Sequence, residues 1–398
     1  MTEKFTGSFT QQEPIPEDGI NAALDVLRHG RLHRYNNAAG EYGEAALLEQ
    51  EFAAQVGAKY CLAVASGGYA MCTAMRAVGV KHGDQVLTNA FTLAPVPGAI
   101  AAVGAEPIYV EVTEDLVIDL DDLADKAAMA DVLLLSHMRG HICDMDRLMQ
   151  IAQDHNLTVI EDCAHTMGAS WNGVPSGRFG TFACYSTQTY KHVNSGEGGL
   201  LISDDPDAMA RAIILSGSYM LYERHLAAPP AEAFDQIRYE TPNISGRMDN
   251  LRAAILRPQL RDLSVQAARW NALYHAVEDG LRDVPGLTLL HRPDKEAFVA
   301  SSFQFLLVDW TPDAVQDVVA RCLARGVELK WFGGAEPTAF TSRYDSWRYA
   351  PVPKLPRTDR VLQGILDMRL PLTFSTDDCA LIARIIRSEV SAVYQSQT

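Results

Sequence analysis

Lys191 lies in the segment that carries the strongest chemical signal of the sequence. A strand-like run at residues 181–186 leads to a turn with Ser195 and three glycines, and an extended pattern resumes at Leu200. Partial desolvation of a lysine held between such elements lowers its pKa toward the range in which the neutral amine forms a Schiff base with an aldehyde. A solvated loop lysine fits this segment alone equally well.

Two acids end a predicted strand at residues 157–162. Glu161 and Asp162 follow an apolar run, and carboxylates at the carboxyl end of a strand in an α/β sheet point into the crevice where ligands bind. One of them could keep a pyridine nitrogen protonated, which pyridoxal phosphate (PLP) needs in order to act as an electron sink. An acid in this position is also often a helix cap.

A glycine turn follows another predicted strand, at residues 61–65. Ser66, Gly67 and Gly68 form the turn, and a helix is predicted at 69–78. Together these elements make a cradle of backbone N–H groups that suits a phosphate. Such a turn alone is weak evidence. Cradle, ring acid and lysine, in this order and each at a strand end, form a specific combination.

Strands and helices alternate through residue 203. The strand candidates are 61–65, 85–87, 107–112, 132–136, 158–161, 182–186 and 199–203. This alternation predicts an α/β fold in which helices flank a mostly parallel, seven-stranded sheet, with the active crevice at the carboxyl ends of the strands.

The character of the sequence changes after residue 250. Apolar residues at helical spacing predict a long helix at 251–284. A smaller α/β lobe then follows, with strands near 303–308 and 327–331. We therefore expect a large PLP-binding domain at 1–250, and the connecting helix with a small C-terminal domain at 251–398.

The composition excludes several classes of function. With 398 residues, 47% hydrophobic and 21% charged, the chain has an ordinary globular composition. Its net charge of −16, without a basic stripe, argues against nucleic-acid and anionic-membrane partners. The uncharged stretch 87–105 contains two prolines and is not expected to span a membrane. The seven scattered cysteines lack zinc spacing, which predicts no metal site and reduced thiols in a cytoplasmic protein.

Most of the chain resembles the DegT/DnrJ/EryC1/StrS family of PLP-dependent sugar aminotransferases, which adopt the aspartate aminotransferase fold (fold-type I). Residues 63–68, AVASGG, are similar to the family's VSSGTAAL, and residues 83–92, GDQVLTNAFT, look like its GDEVI-PAFT. Residues 140–146 resemble its YGQPADMD. The most specific matches are 161–165, EDCAH, to EDAAQ/H, and 185–199 to FSF…K…GEGG.

The resemblance implies a role for each residue of the combination. Lys191 would form the Schiff base with PLP and move the proton between the cofactor and the substrate carbon. Asp162 would pair with the pyridine nitrogen, and His165 would lie near the ring and its phenolic oxygen. The phosphate would be held by hydroxyl and backbone groups of Ser66, Gly67, Gly68 and Ser186.

Two positions depart from the family pattern. Gly68 replaces the usual threonine of the cradle, so one hydroxyl contact to the phosphate is lost. Leu93 stands where an aromatic residue normally stacks on the pyridine ring, and it would cover the ring without the ~1 kcal/mol that aromatic pairing adds. Phe91 could substitute for this aromatic residue, although a core position fits it better.

The resemblance also implies a homodimer with shared active sites. In the family, an asparagine two residues before an Arg-Met pair reaches across the interface to the partner's phosphate. Here Asn243 is the candidate, four residues before Arg247.

The reaction implied by the resemblance is a ping-pong amino transfer. Glutamate or glutamine would convert PLP to pyridoxamine phosphate (PMP), which then aminates a keto-sugar, expected to be nucleotide-linked. An alternative acceptor is a cyclitol or another small ketone in secondary metabolism. A PLP-binding regulatory protein without turnover is an alternative from another class, which Gly68 and Leu93 leave open while Lys191 and Asp162 oppose it.

A loop at residues 137–141 combines two imidazoles with a guanidinium. His137, Arg139 and His141 follow a predicted strand. They could bind an anionic group of a substrate, or they could brace the loop against Asp144 and Asp146.

Overall fold

The structure, a computed structural model, describes residues 3–397. Within them, the strands are β1 (Tyr60–Val64), β2 (Gln85–Asn89), β3 (Glu106–Val110), β4 (Val132–Ser136), β5 (Thr158–Asp162), β6 (Ser170–Trp171), β7 (Val174–Pro175), β8 (Phe182–Ser186), β9 (Gly199–Ser203), β10 (Thr288–Leu289), β11 (Glu296–Ala297), β12 (Ser302–Leu306), β13 (Lys330–Trp331) and β14 (Ile365–Arg369). The α-helices are α1 (Glu17–His29), α2 (Glu44–Val56), α3 (Gly67–Ala77), α4 (Pro95–Ala102), α5 (Leu120–Lys126), α6 (Met145–Asp154), α7 (Pro206–Leu215), α8 (Ile237–Glu240), α9 (Asn250–Leu281), α10 (Pro312–Ala324), α11 (Pro356–Gly364) and α12 (Thr376–Gln397).

The main sheet has seven strands in the order β1-β9-β8-β5-β4-β2-β3. Strand β9 is antiparallel to both of its neighbours, and the pairs from β8 to β3 are all parallel. The apolar centres of these strands form two of the buried clusters, between the sheet and its flanking helices. The predicted fold class, a mostly parallel seven-stranded sheet flanked by helices, is therefore confirmed.

The register of the sheet aligns the strand ends that carry the candidate site. Gly199 lies opposite both Val64, just before the glycine turn, and Ser186 at the end of β8. On the other side, Asp162 lies opposite Ser136 at the end of β4. Residues that are far apart in sequence therefore meet along one edge of the sheet.

Asp249 caps the start of the long helix α9. Its side chain accepts a hydrogen bond from the backbone N–H of Arg252 at 2.9 Å. It leads to a four-stranded antiparallel sheet with the order β10-β12-β14-β13. Strands β12 and β13 correspond to the two strands predicted in this lobe, although β13 has only two residues.

The amino-terminal segment packs with the C-terminal lobe. Phe5, Phe9 and Phe374 form edge-to-face aromatic pairs inside the buried cluster of that lobe. Hydrophobic burial thus packs the segment around Phe5 and Phe9 against the segment around Phe374. Within residues 3–397, no helix combines the length and the apolar character needed to cross a bilayer.

Candidate active site

A cavity of about 530 Å³ lies where the carboxyl edge of the main sheet faces the C-terminal lobe. Eight of the nine predicted site residues line it: Ser66, Gly67, Gly68, Leu93, Asp162, His165, Ser186 and Lys191. Asn243 is the exception. A cavity of this size suits a cofactor or a small-molecule substrate.

Lys191 is presented by the loop between β8 and β9. Backbone hydrogen bonds from Thr187 to Gly198 and from Thr189 to Gly196 close this loop, at 2.9 and 3.1 Å. The two glycines adopt positive φ angles, which lets the chain turn tightly there. The amine Nζ of the partly buried Lys191 lies 3.0 Å from Nε2 of His165. The lysine is therefore fixed at the cavity wall.

The surroundings of Lys191 favour its neutral form. Burial, opposed by the attraction of Asp162 and aided by the charges of Arg139, Arg369 and Lys330, lowers the pKa of its amine to about 7. The pKa of His165 lies well below its ordinary value, because burial and the charge of Lys191 disfavour its imidazolium form. At neutral pH a large fraction of the lysine is therefore the neutral amine, which is the form that a nucleophile or a general base requires.

The two adjacent acids of β5 have different surroundings. Asp162 faces the cavity, where Oδ2 accepts a hydrogen bond from the Ser136 hydroxyl and Oδ1 accepts one from the Ala164 N–H, both at 3.1 Å. Thr92 donates in turn to the Ser136 hydroxyl at 2.8 Å. Burial raises the pKa of the Asp162 carboxyl, and the Lys191 amine opposes this shift. A cationic partner in the cavity would stabilise the carboxylate.

Glu161 has a structural environment instead. Its carboxylate accepts hydrogen bonds from the backbone N–H groups of Gly177, Phe179 and Gly180 at 2.8–3.0 Å, and it contacts His137 Nε2 at 3.1 Å. The side chain is fully buried. Glu161 therefore holds the chain that connects β7 to β8.

The glycine turn forms the other end of the cavity. Ser66 caps α3, because its Oγ accepts a hydrogen bond from the Tyr69 N–H at 3.1 Å. A Cβ on Gly67 would come within 3.0 Å of Cβ of Ser186, so the first turn of the helix lies against the end of β8. A Cβ on Gly68 would meet only Ser66 Oγ, at 3.9 Å. Hydroxyls and free helix N–H groups thus converge here, as an anion site requires.

Leu93, and not Phe91, reaches the cavity. Phe91 is 1% exposed and packs edge-to-face against Phe332, with 5.1 Å between ring centroids. The reading of Phe91 as a core residue fits this position. Small and apolar residues at the start of α4 also line the cavity.

The loop at 137–141 is braced by partners other than the two expected acids. His137 contacts Glu161, and His141 lies 2.9 Å from the Gln304 side chain. Arg139 forms an ion pair with Asp367 at 2.8 Å and also lines the cavity. The expected bracing by Asp144 and Asp146 is wrong, because Asp144 caps α6 and Asp146 pairs with Lys295.

Asn243 and Arg247 lie outside the cavity lining of their own chain. Asn243 is exposed, next to Gly217. Arg247 donates to the Gly217 carbonyl at 2.8 Å and lies over the Tyr219 ring. Asn243 therefore does not contribute to the cavity of its own chain.

Sequence reasoning missed the cavity residues that the C-terminal half contributes. They are Ser301, Ser302, Ala339, Phe340, Ser342, Trp347 and Arg369. Arg369 carried the one usable signal, since it is a charged residue at the end of the buried strand β14, as Asp162 is at the end of β5. The others lie in irregular segments without a motif.

The residues present fit PLP. A buried acid at one side of the cavity suits a pyridinium nitrogen, and a lysine with a lowered pKa suits an aldehyde. A side chain at Gly67 would crowd Ser186, so the glycine keeps the backbone N–H groups of the cradle close to the Ser186 hydroxyl.

Comparisons with known proteins agree with this geometry. The sequence pattern of the DegT/DnrJ/EryC1/StrS aminotransferase family matches residues 15–387. A protein of Micromonospora echinospora, described provisionally as an L-glutamine:3-amino-2,3-dideoxy-scyllo-inosose aminotransferase, is 30% identical over 342 residues. The match covers 83% of this chain and 79% of that protein.

Solved structures share the fold. The crystal structure of 3-amino-5-hydroxybenzoic acid (AHBA) synthase matches with a TM-score of 0.82 at 23% identity, over 98% of this chain and 100% of that one. Spr1654 of Streptococcus pneumoniae, described provisionally as a sugar aminotransferase, has structures in PLP and PMP forms. Its PLP form matches with a TM-score of 0.80 at 17% identity, over 98% and 100% of the two chains. The family match spans nearly the whole sequence, and the chain belongs to the DegT/DnrJ/EryC1/StrS aminotransferase family.

Proposed function

We propose that this aminotransferase uses PLP to move an amino group from glutamate or glutamine to a ketone of a sugar or cyclitol. The observation that carries the proposal is the position of Lys191. Its amine, with a pKa lowered to about 7, shares one cavity with the buried Asp162 and with the phosphate cradle. Each group matches one part of PLP.

The chain's own residues divide the work. When bound, PLP supplies an aldehyde for the amino group and a ring that withdraws electrons from the substrate carbon. Lys191 Nζ takes the proton from that carbon and returns it, with His165 at 3.0 Å orienting the amine. Asp162, fixed by Ser136 and Ala164, would hold the pyridine nitrogen protonated, and Leu93, which lines the cavity, would cover the ring.

The expected result with an amino donor is a change in the absorption of the holoenzyme. Glutamate or glutamine should convert the yellow PLP form to the PMP form, and a suitable ketone should restore it, because both half-reactions use one cavity. Stopped-flow absorption spectroscopy measures both steps. Retention of the PLP spectrum with every amino donor would instead support a regulatory protein that binds PLP without turnover.

We propose two candidate classes of acceptor. A nucleotide-linked keto-sugar is implied by the resemblance. The Micromonospora relative, whose name states a scyllo-inosose acceptor, supports a cyclitol. The absorption assay with each ketone separates them.

We also propose a cytoplasmic location, supported by seven cysteines that are all free thiols.

We further propose a homodimer whose active sites are completed by the partner chain. Helix α1 exposes Ile20, Leu24 and Leu27 at helical spacing, which is typical of a face that binds another protein surface. Met220 and Ile244 are also exposed, and Ile244 directly follows Asn243 in the chain. Gly68 supplies no hydroxyl to the phosphate, so a donor from a partner would compensate.

Asn243→Ala is expected to weaken PLP binding roughly 10- to 100-fold, because a charge-assisted hydrogen bond of about 1.5–3 kcal/mol is lost. At a PLP concentration too low to load Asn243→Ala, mixing these chains with inactive Lys191→Ala chains should regenerate activity, since one of the two sites in a heterodimer would be wild type. Activity after subunit exchange is the measurement. An active monomer in sedimentation, or exchange without recovery, would contradict shared sites.

A further inference from the structure

Arg369 presents a cation to the cavity without a carboxylate partner. It ends β14, opposite Ser302, and its guanidinium lies 3.6 Å from the Tyr190 ring centroid and 5.0 Å from that of Phe340. Within residues 3–397, no acid forms an ion pair with it at 4 Å or less. The two rings hold the partly buried guanidinium in place. A desolvated cation of this kind is stabilised by an anionic ligand.

Arg139 adds a second cation to the same wall. It is 6% exposed, and although it forms an ion pair with Asp367 at 2.8 Å, its Nε and Nη2 have no partner with hydrogen-bond geometry. Asp367 also forms an ion pair with Lys330, whose Nζ lies 3.5 Å from Asp367 Oδ2. The single carboxylate of Asp367 therefore lies near three cations: Arg139, Lys330 and Arg369.

The acids elsewhere in the cavity do not cancel this excess. Asp162 is engaged by Ser136 and Ala164 at the main sheet. Glu197 lines the cavity but is exposed to solvent, so its charge is screened. The C-terminal side of the cavity is left with net positive charge.

This charge lies near the reacting amine. Arg139 and Arg369 line the same cavity as Lys191, and both lower the pKa of its amine. An anion bound by the two arginines would therefore sit close to the substrate carbon to which the lysine amine delivers a proton. The carboxylate of a compact molecule meets this condition. The diphosphate of a nucleotide-linked sugar does not, because it stands a sugar ring away from the ketone.

We propose that the acceptor is a small ketone that carries a carboxylate, bound by Arg369 together with Arg139. This inference rests on the proposed function. In a ping-pong reaction, donor and acceptor occupy one cavity in turn, so the arginines that meet the donor's carboxylate also meet the acceptor. A neutral acceptor would displace water from Arg369 without replacing its hydrogen bonds, which costs affinity. A carboxylated acceptor replaces them with a bidentate pair.

The test starts from holoenzyme loaded directly with PMP, which removes the donor step. Ketones that carry a carboxylate are compared with their own methyl esters and with nucleotide-linked ketones, and the return of the PLP spectrum is followed in single turnovers. A carboxylate should lower the half-saturating concentration roughly 10- to 100-fold relative to its ester. Arg369→Gln should remove that difference, and Arg369→Lys should restore part of it.

The control variant is Arg360→Gln, which removes an exposed arginine paired with Asp309 outside this cavity. It should leave the preference for carboxylates unchanged. Calorimetry measures the binding of cyclohexanecarboxylate and of its amide to the PLP form, without turnover. Arg369→Gln should weaken the binding of the carboxylate and leave the binding of the amide unchanged.

Two results would overturn the inference. One is equal reaction of esters and acids. The other is discharge of the PMP form by nucleotide-linked ketones alone. Either result leaves the aminotransferase proposal intact. If no ketone of any class discharges the PMP form, the proposed function itself fails, and the acceptor inference falls with it.

Discussion

Lys191→Ala is expected to abolish amino transfer while leaving the fold intact. The side chain supplies both the nucleophile and the proton carrier, and proton transfer alone accounts for roughly 10²- to 10⁴-fold in rate. Its removal leaves the backbone hydrogen bonds that close the loop, from Thr187 to Gly198 and from Thr189 to Gly196. The partly buried amine also contributes little to packing. Circular dichroism should therefore match the wild type while turnover is lost.

The covalent link gives the direct measurement. Borohydride reduction of the yellow resting enzyme, followed by digestion and mass spectrometry, should place the cofactor label on the peptide that contains Lys191. Lys330 is the informative control, because burial also lowers the pKa of its amine, to about 8. Lys330→Met should retain the label on Lys191. A label on Lys330, or a labelled Lys191→Ala variant, would contradict the assignment.

The sequence predicts the site best where a strand and a polar residue at its end lie in one short segment. Asp162 and Ser186 each end a strand whose apolar residues are visible in the sequence, and Ser66 directly follows one. The rule that strand ends meet at one edge of a parallel sheet then brings them together. Strand ends therefore locate functional residues even when the order of the strands is unknown.

The other wall of the cavity depends on tertiary packing that no local pattern encodes. Arg369 reaches the site because β14 pairs with β12 in a separate sheet, and the end of β14 lines the same cavity as the main sheet. Phe340 and Trp347 lie in a segment with little regular structure. Periodicity predicts neither that docking nor the path of an irregular segment. The wall that the C-terminal half contributes was therefore missed, while eight predicted residues do line the same cavity.

The choice between Glu161 and Asp162 shows the same limit at the scale of one residue. Adjacent residues in a strand point to opposite faces, but the sequence does not state which face lines the cavity. Three backbone N–H groups that bind Glu161 come from residues 177–180. That connection is visible only in the folded chain. The structure supports the assignment of the ring acid to Asp162 through the cavity and its hydroxyl partners.

Asp162→Asn is expected to reduce turnover by roughly 10²- to 10³-fold or more, because it removes the charge that would keep the pyridine nitrogen protonated. Asparagine has nearly the same shape as aspartate, and its carbonyl oxygen can still accept a hydrogen bond from Ser136 or Ala164. Stability and PLP affinity should therefore change less than the rate. Single-turnover kinetics with an amino donor, together with PLP titration, separate these effects.

Glu161→Gln is the matched control, and it should behave in the opposite way. The amide nitrogen of glutamine cannot accept hydrogen bonds, so at least one of the N–H groups of Gly177, Phe179 and Gly180 loses its partner in a fully buried position. The expected cost is about 1.5–3 kcal/mol of the free energy of unfolding, visible as a lower Tm, with the absorption of bound cofactor unchanged. Near-normal turnover in Asp162→Asn, with a collapse in Glu161→Gln at a temperature where that variant is folded, would move the ring contact to Glu161.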